Sequence, residues 1–228
     1  MSDWQALSDR VVRCRRCPRL RDYCRLVAKE KRRAFRDCAY WGKPVPNFGD
    51  DRARLLVVGL APAAHGGNRT GRMFTGDRSG DWLYRALFKA GFASQARSVD
   101  RDDGLRLIDC AITAVCHCAP PANKPERGEI ASCHAWLAET VDLVPARVFV
   151  ALGQIAWAAI VAEARRRGWW RGKLPKFGHA ALVRLGAGRA IIGSYHPSQQ
   201  NTFTGRLTEP MLDRVFALAR EELGPRPR

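Results

Sequence analysis

The stretch Leu55-Leu-Val-Val-Gly-Leu-Ala-Pro-Ala-Ala-His-Gly-Gly-Asn-Arg-Thr-Gly-Arg-Met-Phe-Thr-Gly-Asp-Arg-Ser-Gly80 joins a short apolar run to a glycine-rich loop. The apolar run from Leu55 to Val58 is typical of a strand that is covered on both faces. From Asp81 to Ala90, apolar residues recur at helical spacing. The loop therefore follows the carboxyl end of a strand, where open α/β sheets bind their ligands.

This loop carries five glycines after Pro62, and glycine permits positive φ and close approach of the backbone to a ligand. Gly66 to Gly71 does not match the Gly-x-Gly-x-x-Gly of dinucleotide-binding loops, and no Gly-Lys-Ser/Thr follows to make a phosphate-binding loop. Two interpretations stay open. The loop holds a phosphate or a flat base, or its glycines only satisfy the turns of a surface loop.

Length and composition favour one domain over residues 1–228, because 228 residues with 46% hydrophobic content can bury a substantial core. The sequence has no apolar run near the length of a membrane span, and the segment 1–13 does not read as a secretory leader. We therefore expect a cytoplasmic, monomeric protein with no membrane contact.

The charge balance points to a polyanionic partner. The chain carries 39 Lys and Arg against 22 Asp and Glu, a formal net charge of +17. Such an excess attracts nucleic acid through counterion release. A compositional bias towards Arg would give the same excess without any ligand, so charge alone indicates a partner class and not a function.

Eight cysteines in a cytoplasmic chain favour metal ligands or buried thiols over disulfides. Cys14-x-x-Cys17 is the local pair that lets two thiolates meet one metal, and Cys118 and Cys133 supply two further candidates. The other cysteines are expected in the core, since free cysteine packs as a small hydrophobe. Cys116 remains an alternative to Cys118, because residues two apart in an extended segment point the same way.

The rest of the chain alternates between helical and strand patterns. Two helices are predicted within residues 4–34, separated at Pro18, and a loop over 39–50. Strands are predicted over 55–58, 108–115 and 148–152 and as a pair over 181–185 and 190–194, and helices over 81–90, 129–141, 155–167 and 211–223. This order predicts a three-layer α/β/α sandwich around a central, mostly parallel sheet, with the special loops along one edge.

Three segments together resemble a known family: Gly59-Leu-Ala-Pro with Phe74-Thr-Gly-Asp77, Cys118-Ala-Pro-Pro-Ala-Asn123-Lys-Pro, and Ser194-Tyr-His196-Pro-Ser. The chain resembles the uracil-DNA glycosylase superfamily over nearly its whole length. The long first motif and the Gln-Gln-Asn-Thr-Phe-Thr-Gly tail are similar to family 5, the type-b iron-sulfur members.

The resemblance implies a base-excision repair enzyme that removes uracil, and also hypoxanthine and etheno bases, from DNA by cleaving the N-glycosidic bond to leave an abasic site. It also implies a [4Fe-4S] cluster on Cys14, Cys17, Cys118 and Cys133, which ties the N-terminal helices (residues 1–35) to the body. Zinc is the alternative metal.

The resemblance also implies roles for four side chains, since the target base must leave the duplex before its bond is cleaved. Phe74 stacks on the extruded base, Asn123 pairs with its edge, and His196 donates to the base oxygen as negative charge develops there. Asp77 stabilises the cationic sugar or orients water, because Ala61 stands where many relatives have Asp or Asn. Each residue also has a structural reading: core aromatic, turn residues, and helix cap for Asp77.

Further residues follow from the same resemblance. Gly59, Ala61, Pro62 and His65 are expected to line the base site. DNA contacts are expected from Arg69 and Arg206 at phosphates and from Gln199, Gln200 and Asn201 in the minor groove, where they would fill the gap left by the extruded nucleotide. Other glycosylases place Leu near Gln200, so the residue that enters the duplex is left open.

Two other classes compete with this interpretation. A non-catalytic, zinc-bound nucleic-acid-binding protein would use Phe74, Trp169 and Trp170 as stacking platforms. A nucleotide-dependent redox protein would use the cluster for electron transfer, but the dinucleotide fingerprint is missing from the sequence.

Overall fold

The computed structural model describes residues 2–225. Over these residues a six-stranded sheet runs in the order β1-β3-β2-β4-β6-β5. The strands are β1 (Phe48–Gly49), β2 (Leu55–Gly59), β3 (Cys110–Ala114), β4 (Val148–Leu152), β5 (Leu182–Leu185) and β6 (Arg189–Ser194). The four central strands are parallel, and β1 and β5 pair antiparallel at the two edges.

Helices cover both faces of this sheet. They are α1 (Asp3–Val12), α2 (Pro18–Glu30), α3 (Gly67–Thr70), α4 (Arg78–Lys89), α5 (Arg127–Leu143), α6 (Gln154–Arg166), α7 (Gln199–Phe203) and α8 (Glu209–Leu223). Short 3₁₀ turns occur at Arg33–Phe35 and Pro121–Asn123. The α/β/α sandwich predicted from the sequence is confirmed.

The two faces of β2 show why the layers form. Leu55 and Val57 pack into one core with α4 and α8, and Leu56 and Val58 pack into the other with α1, α5 and α6. All four side chains are fully buried. Burying both faces is what an uninterrupted apolar strand requires, since alternate side chains point to opposite sides.

The structure differs from the sequence expectation in the segment 39–50, which was predicted to be a loop. Phe48 and Gly49 form the short edge strand β1 and pair with Ile112 and Ala111. Two residues are too few to show a strand periodicity, so the pairing is visible only once β3 is in place. Pro18 does separate the two N-terminal helices, because it occupies the first turn of α2, where its missing N–H costs nothing.

Helix α4 begins earlier than its apolar pattern indicated, at Arg78 rather than Asp81. Its N-cap is Asp77, whose side chain accepts a hydrogen bond from the backbone N–H of Gly80. The first turn consists of polar residues and glycine, so apolar periodicity cannot mark it. The structural reading of Asp77 as a helix cap is therefore correct, whatever else the carboxylate does.

Candidate active site

Backbone hydrogen bonds hold the loops together at the carboxyl edge of the sheet. Beyond the ends of β2 and β3, the N–H of Val115 donates to Gly59 O and the N–H of Cys116 donates to Leu60 O, both at 2.9 Å. On the other side, the N–H of Gly153 donates to Ser194 O at 2.8 Å. The parallel pairing thus continues past the strands and sets the loops after β3, β2, β4 and β6 in that order along one edge of the sheet.

Phe74 and His196 meet across two of these loops. Their ring centroids are 5.9 Å apart, with the planes tilted by 33°. Phe74 is only 8% exposed and adopts a left-handed φ of 52°, which is uncommon for a bulky side chain. Gly59 makes room for it, because a Cβ at Gly59 would lie 2.7 Å from Phe74 Cζ. The ring thus lies against the end of β2 and faces the imidazole.

A buried polar network fixes the backbone on either side of Phe74. The carbonyl of Met73 accepts from the hydroxyl of Tyr84 at 2.7 Å and from the hydroxyl of Thr75 at 3.1 Å. Arg72 in turn donates to Thr75 Oγ1 at 2.9 Å and to the Asp103 carboxylate at 2.7 Å. A satisfied network of this kind can hold a strained residue in place.

Asp77 lies where the first-motif loop passes into α4. Its Oδ1 accepts from the N–H of Gly80 at 2.9 Å. Its Oδ2 lies against Gly66, where a Cβ would approach it to 2.0 Å. Burial raises the pKa of this carboxyl from 3.8 to about 6, although hydrogen bonds from the backbone of Gly80 and Ser79 oppose the shift. The carboxylate is therefore ionised at neutral pH but poorly solvated.

His196 presents a neutral imidazole. Burial lowers its pKa to about 4, because the charged form is poorly solvated there. Its carbonyl accepts from Asn201 Nδ2 at 2.8 Å, which fixes the backbone. Within residues 2–225, neither ring nitrogen has a hydrogen-bond partner, so the ring can donate one N–H to a ligand.

Asn123 lies on the adjacent loop after β3. Ala122 and Asn123 both have left-handed φ, at 51° and 56°, a conformation that asparagine tolerates well. Its side chain is exposed and makes no hydrogen bond to another described residue. The structure thus brings Phe74 and His196 into contact, with Asp77 three residues along the same loop. Asn123 lies on the neighbouring loop, and among the described residues its side chain makes no hydrogen bond to these three.

The other first-motif residues build the loop itself. His65 Nδ1 lies 2.9 Å from the hydroxyl of Tyr40, and Arg69 donates to His65 O at 2.8 Å and to Gly76 O at 3.0 Å. Arg69 therefore spans the loop from α3 to the residue before Asp77. Pro62 is buried and Ala61 is half-buried.

The Gln-Gln-Asn-Thr-Phe-Thr-Gly tail, which follows the segment with His196, begins with α7. Gln199 and Gln200 are exposed on this helix, whereas Asn201 turns back to the carbonyl of His196. Arg206 is exposed, with its guanidinium 4.7 Å from the ring centre of Tyr195. Trp169 and Trp170, expected as stacking platforms in the competing class, instead pack against the apolar core beside α6.

The predicted cysteine ligands Cys14, Cys17, Cys118 and Cys133 line one small, largely enclosed cavity. Cys116 is fully buried and is not part of this lining, but its thiol is hydrogen-bonded to that of Cys133, so Cys116 remains an alternative to Cys118 as a ligand. Over residues 2–225 the thiols do not gather closely enough to hold a single metal ion.

Three polar side chains around this cavity were not anticipated from the sequence. Arg21 Nε, His117 Nε2 and Trp136 Nε1 are buried and have no hydrogen-bond partner among the described residues, and all three residues line the cavity. His117 also donates from its backbone N–H to Cys133 Sγ at 3.4 Å. Unpaired buried polar atoms are costly, so their gathering beside four thiols calls for a ligand. They share no sequence motif that could have identified them.

Comparison of the sequence with known proteins identifies its family. The model of the uracil DNA glycosylase superfamily matches residues 46–220, which span all the loops described above except the N-terminal cysteine pair. The chain belongs to this superfamily. A type-5 uracil-DNA glycosylase of Mycobacterium bovis is 53% identical over 92% of this chain and 78% of its own length.

Two further relatives match almost end to end. The type-5 uracil-DNA glycosylase of Mycobacterium leprae is 50% identical over 96% of this chain and 95% of its own length. That of Thermus thermophilus is 46% identical over 97% of this chain and 99% of its own length. The chain is thus a member of the type-5 group, as its motifs indicated. Among the described residues, none of the helices is long and apolar enough to cross a membrane.

Proposed function

We propose that this protein excises uracil from DNA by hydrolysing the N-glycosidic bond, leaving an abasic site for base-excision repair. The observation that carries the proposal is the contact between Phe74 and His196, with the half-buried Asp77 on the same loop as Phe74. The type-5 relatives are named for the same activity. The net charge of +17 suits a DNA substrate.

Each side chain has a role in the proposed reaction. The extruded base stacks on Phe74, and the Asn123 amide pairs with its edge, offering a donor and an acceptor. The bond from C1′ to the base nitrogen breaks with its electron pair leaving on the base. The neutral imidazole of His196 donates a hydrogen bond to the base oxygen as this charge develops. Water adds to C1′ and releases a proton to solvent, and the departed base anion takes up a proton from solvent. Asp77 orients that water or stabilises the cationic sugar.

The decisive experiment uses duplexes that differ only in one base. A uracil-containing duplex and its thymine-containing counterpart are incubated with the protein and then treated with alkali, which cuts the strand at abasic sites. Cleavage of the uracil strand alone supports the proposal, and intact strands in both samples overturn it. Duplexes with hypoxanthine or an etheno base extend the panel, because we propose that these bases are also substrates.

We also propose that the cysteine cavity holds a [4Fe-4S] cluster on Cys14, Cys17, Cys118 and Cys133. Four thiolates around one cavity are the donor set that such a cluster takes. The unpaired Arg21 Nε and Trp136 Nε1 can donate to its sulfur atoms, which would satisfy them.

The cluster's proposed contribution is structural, because its ligands come from the segment between α1 and α2, the loop that carries Asn123, and α5. The four cysteines would thereby fix the positions of these elements relative to the sheet. Iron and acid-labile sulfide analysis of the purified protein, together with its visible absorption, tests the assignment. A colourless protein that contains stoichiometric zinc would contradict it.

The remaining assignments are proposals of the same kind. Arg69 and Arg206 contact phosphates, and Gly59, Ala61, Pro62 and His65 border the base. Gln199 and Gln200 face the minor groove, with Asn201 behind them bound to the His196 carbonyl. We propose that the chain acts as a single-domain monomer in the cytoplasm, where its DNA substrate and a reducing environment for eight free thiols are found together.

A further inference from the structure

Phe203 is an exposed aromatic side chain at the carboxyl end of α7, the helix that follows His196. It is 66% exposed, the largest fraction of any large hydrophobic side chain among the described residues. A single exposed apolar side chain needs no explanation by itself. Its position does, because α7 lies directly after the loop that carries the imidazole of the candidate site.

A second contact places Phe203 beside the other side of the site. The guanidinium of Arg78 lies 4.7 Å from the centre of the Phe203 ring. Arg78 is the first residue of α4 and immediately follows Asp77. Phe203 therefore lies next to the loop that carries Asp77 and next to the loop that carries His196. The guanidinium of Arg78 beside it is also exposed.

The helix that carries Phe203 is anchored to the body. The N–H of Leu207 donates to Asn201 O at 3.0 Å, and the Leu207 side chain is fully buried. Asn201 in turn holds the carbonyl of His196. Because Asn201 is engaged in this way, its amide is a poorer candidate for entering a duplex than the exposed ring two residues later.

We propose that Phe203 inserts into the DNA base stack at the gap left by the extruded nucleotide, while Arg78 lies beside the flanking phosphates. This inference rests on the proposed excision activity. Proteins that enter the minor groove often insert an apolar side chain between base steps, and an aromatic ring stacks on any base without reading its sequence. The sequence analysis assigns this gap to Gln199, Gln200 and Asn201. Their polar side chains stack on bases less well than an aromatic ring does.

The test measures single-turnover excision of uracil by Phe203→Ala from a duplex and from a single strand of the same sequence. We expect a loss of about tenfold or more on the duplex, as the removal of one stacking contact implies. On the single strand we expect a change within about twofold, because no stack has to be opened there. Phe88→Ala is the matched control, since Phe88 is 47% exposed on α4.

A second measurement separates insertion from a general defect. Pyrene placed opposite uracil fills the duplex from the partner strand, so it should restore excision by Phe203→Ala to near the wild-type rate. Equal loss on single and double strands, unchanged excision from the duplex, or no rescue by pyrene would each overturn the inference. If wild-type protein excises uracil from neither substrate, the proposed function fails instead, so the two failures are distinguishable.

Discussion

At the scale of single residues, Asp77 combines two demands that conflict. Its Oδ1 caps α4 through the N–H of Gly80, which stabilises the fold. The same carboxyl is buried, and burial raises its pKa to about 6. An ionised carboxylate in that position lowers the free energy of unfolding at neutral pH. The charge that the site needs therefore destabilises the fold.

This conflict can be measured with two substitutions. Asp77→Asn keeps a good N-cap and removes the charge, whereas Asp77→Ala removes both. At about pH 8 we expect Asp77→Asn to unfold with a free energy about 1–3 kcal/mol higher than wild type, and Asp77→Ala to gain less because the lost cap costs about 1 kcal/mol. Both should lose excision. Thermal or denaturant unfolding monitored by circular dichroism provides the measurement.

The size of the effect depends on pH. The pKa of the Asp77 carboxyl is higher in the folded protein than in the unfolded chain. The protonated carboxyl therefore favours the folded state, and the ionised carboxylate disfavours it. This contribution is fully present below 3.8 and is lost as the pH rises through about 6. The advantage of Asp77→Asn should therefore disappear between about pH 6 and pH 4. A constant difference across that range would contradict the assigned pKa.

The same titration predicts the pH dependence of excision. If Asp77 acts as the carboxylate, single-turnover rates should fall about tenfold per pH unit below about 6. His196 does not set this limb, because burial lowers its pKa to about 4 and it stays neutral throughout. Rates measured in a constant-ionic-strength buffer series provide the check, and a rate that holds level down to about pH 5 would exclude Asp77 from the chemical step.

At the scale of elements, the first-motif loop depends on close backbone approach rather than on glycine flexibility alone. Gly59 lets the Phe74 ring lie against the end of β2, and Gly66 lets the Asp77 carboxylate lie against α3. Arg69 then fixes the loop by donating to His65 O and Gly76 O. A methyl group at either glycine would displace a side chain that we assign to the site.

Gly66→Ala is expected to abolish most excision without unfolding the protein. Its Cβ would lie 2.0 Å from Asp77 Oδ2, so the carboxylate must move. Misplacement of a reacting group by about 1 Å can cost on the order of a hundredfold in rate. Gly128→Ala in α5 is the matched control, because a Cβ there meets nothing within 4 Å. Wild-type rates in Gly66→Ala would show that Asp77 is not held at this point.

At the scale of the whole molecule, the N-terminal helices are attached by apolar packing, by ion pairs and at the cysteine cavity. Leu7 and Val11 of α1 are fully buried in the core that includes α5. Arg19 of α2 forms an ion pair with Glu129 of α5 at 2.8 Å, and Arg10 of α1 pairs with Glu139 of α5. The cysteine cavity lies between the same helices and the loop after β3. The ion pairs are partly exposed and contribute little by themselves. Apolar packing therefore holds α1, and the cavity is the stronger candidate for holding the segment between α1 and α2.

Loss of one proposed ligand should therefore lower the stability of the folded protein as well as its metal content. Cys17→Ala is expected to lose visible absorption and iron and to melt at a lower temperature, because metal-binding energy contributes to folding energy. Cys38→Ala is the control, since Cys38 lies outside the cavity lining. Full iron occupancy in Cys17→Ala would disprove the ligand assignment. The central sheet should persist in that variant, because none of its strand residues lines the cavity.

The sequence by itself determined the architecture and the chemistry-bearing loops. Local patterns carry this information, because apolar runs such as Leu55 to Val58 and Val148 to Leu152 must be buried whatever surrounds them. Only the tertiary structure decided which residues meet: Phe74 with His196, Asp77 with Gly66, Phe203 with Arg78, and the unpaired polar atoms with the cysteine cavity. Such contacts join residues distant in the chain, and their distances depend on how the loops pack across the sheet edge.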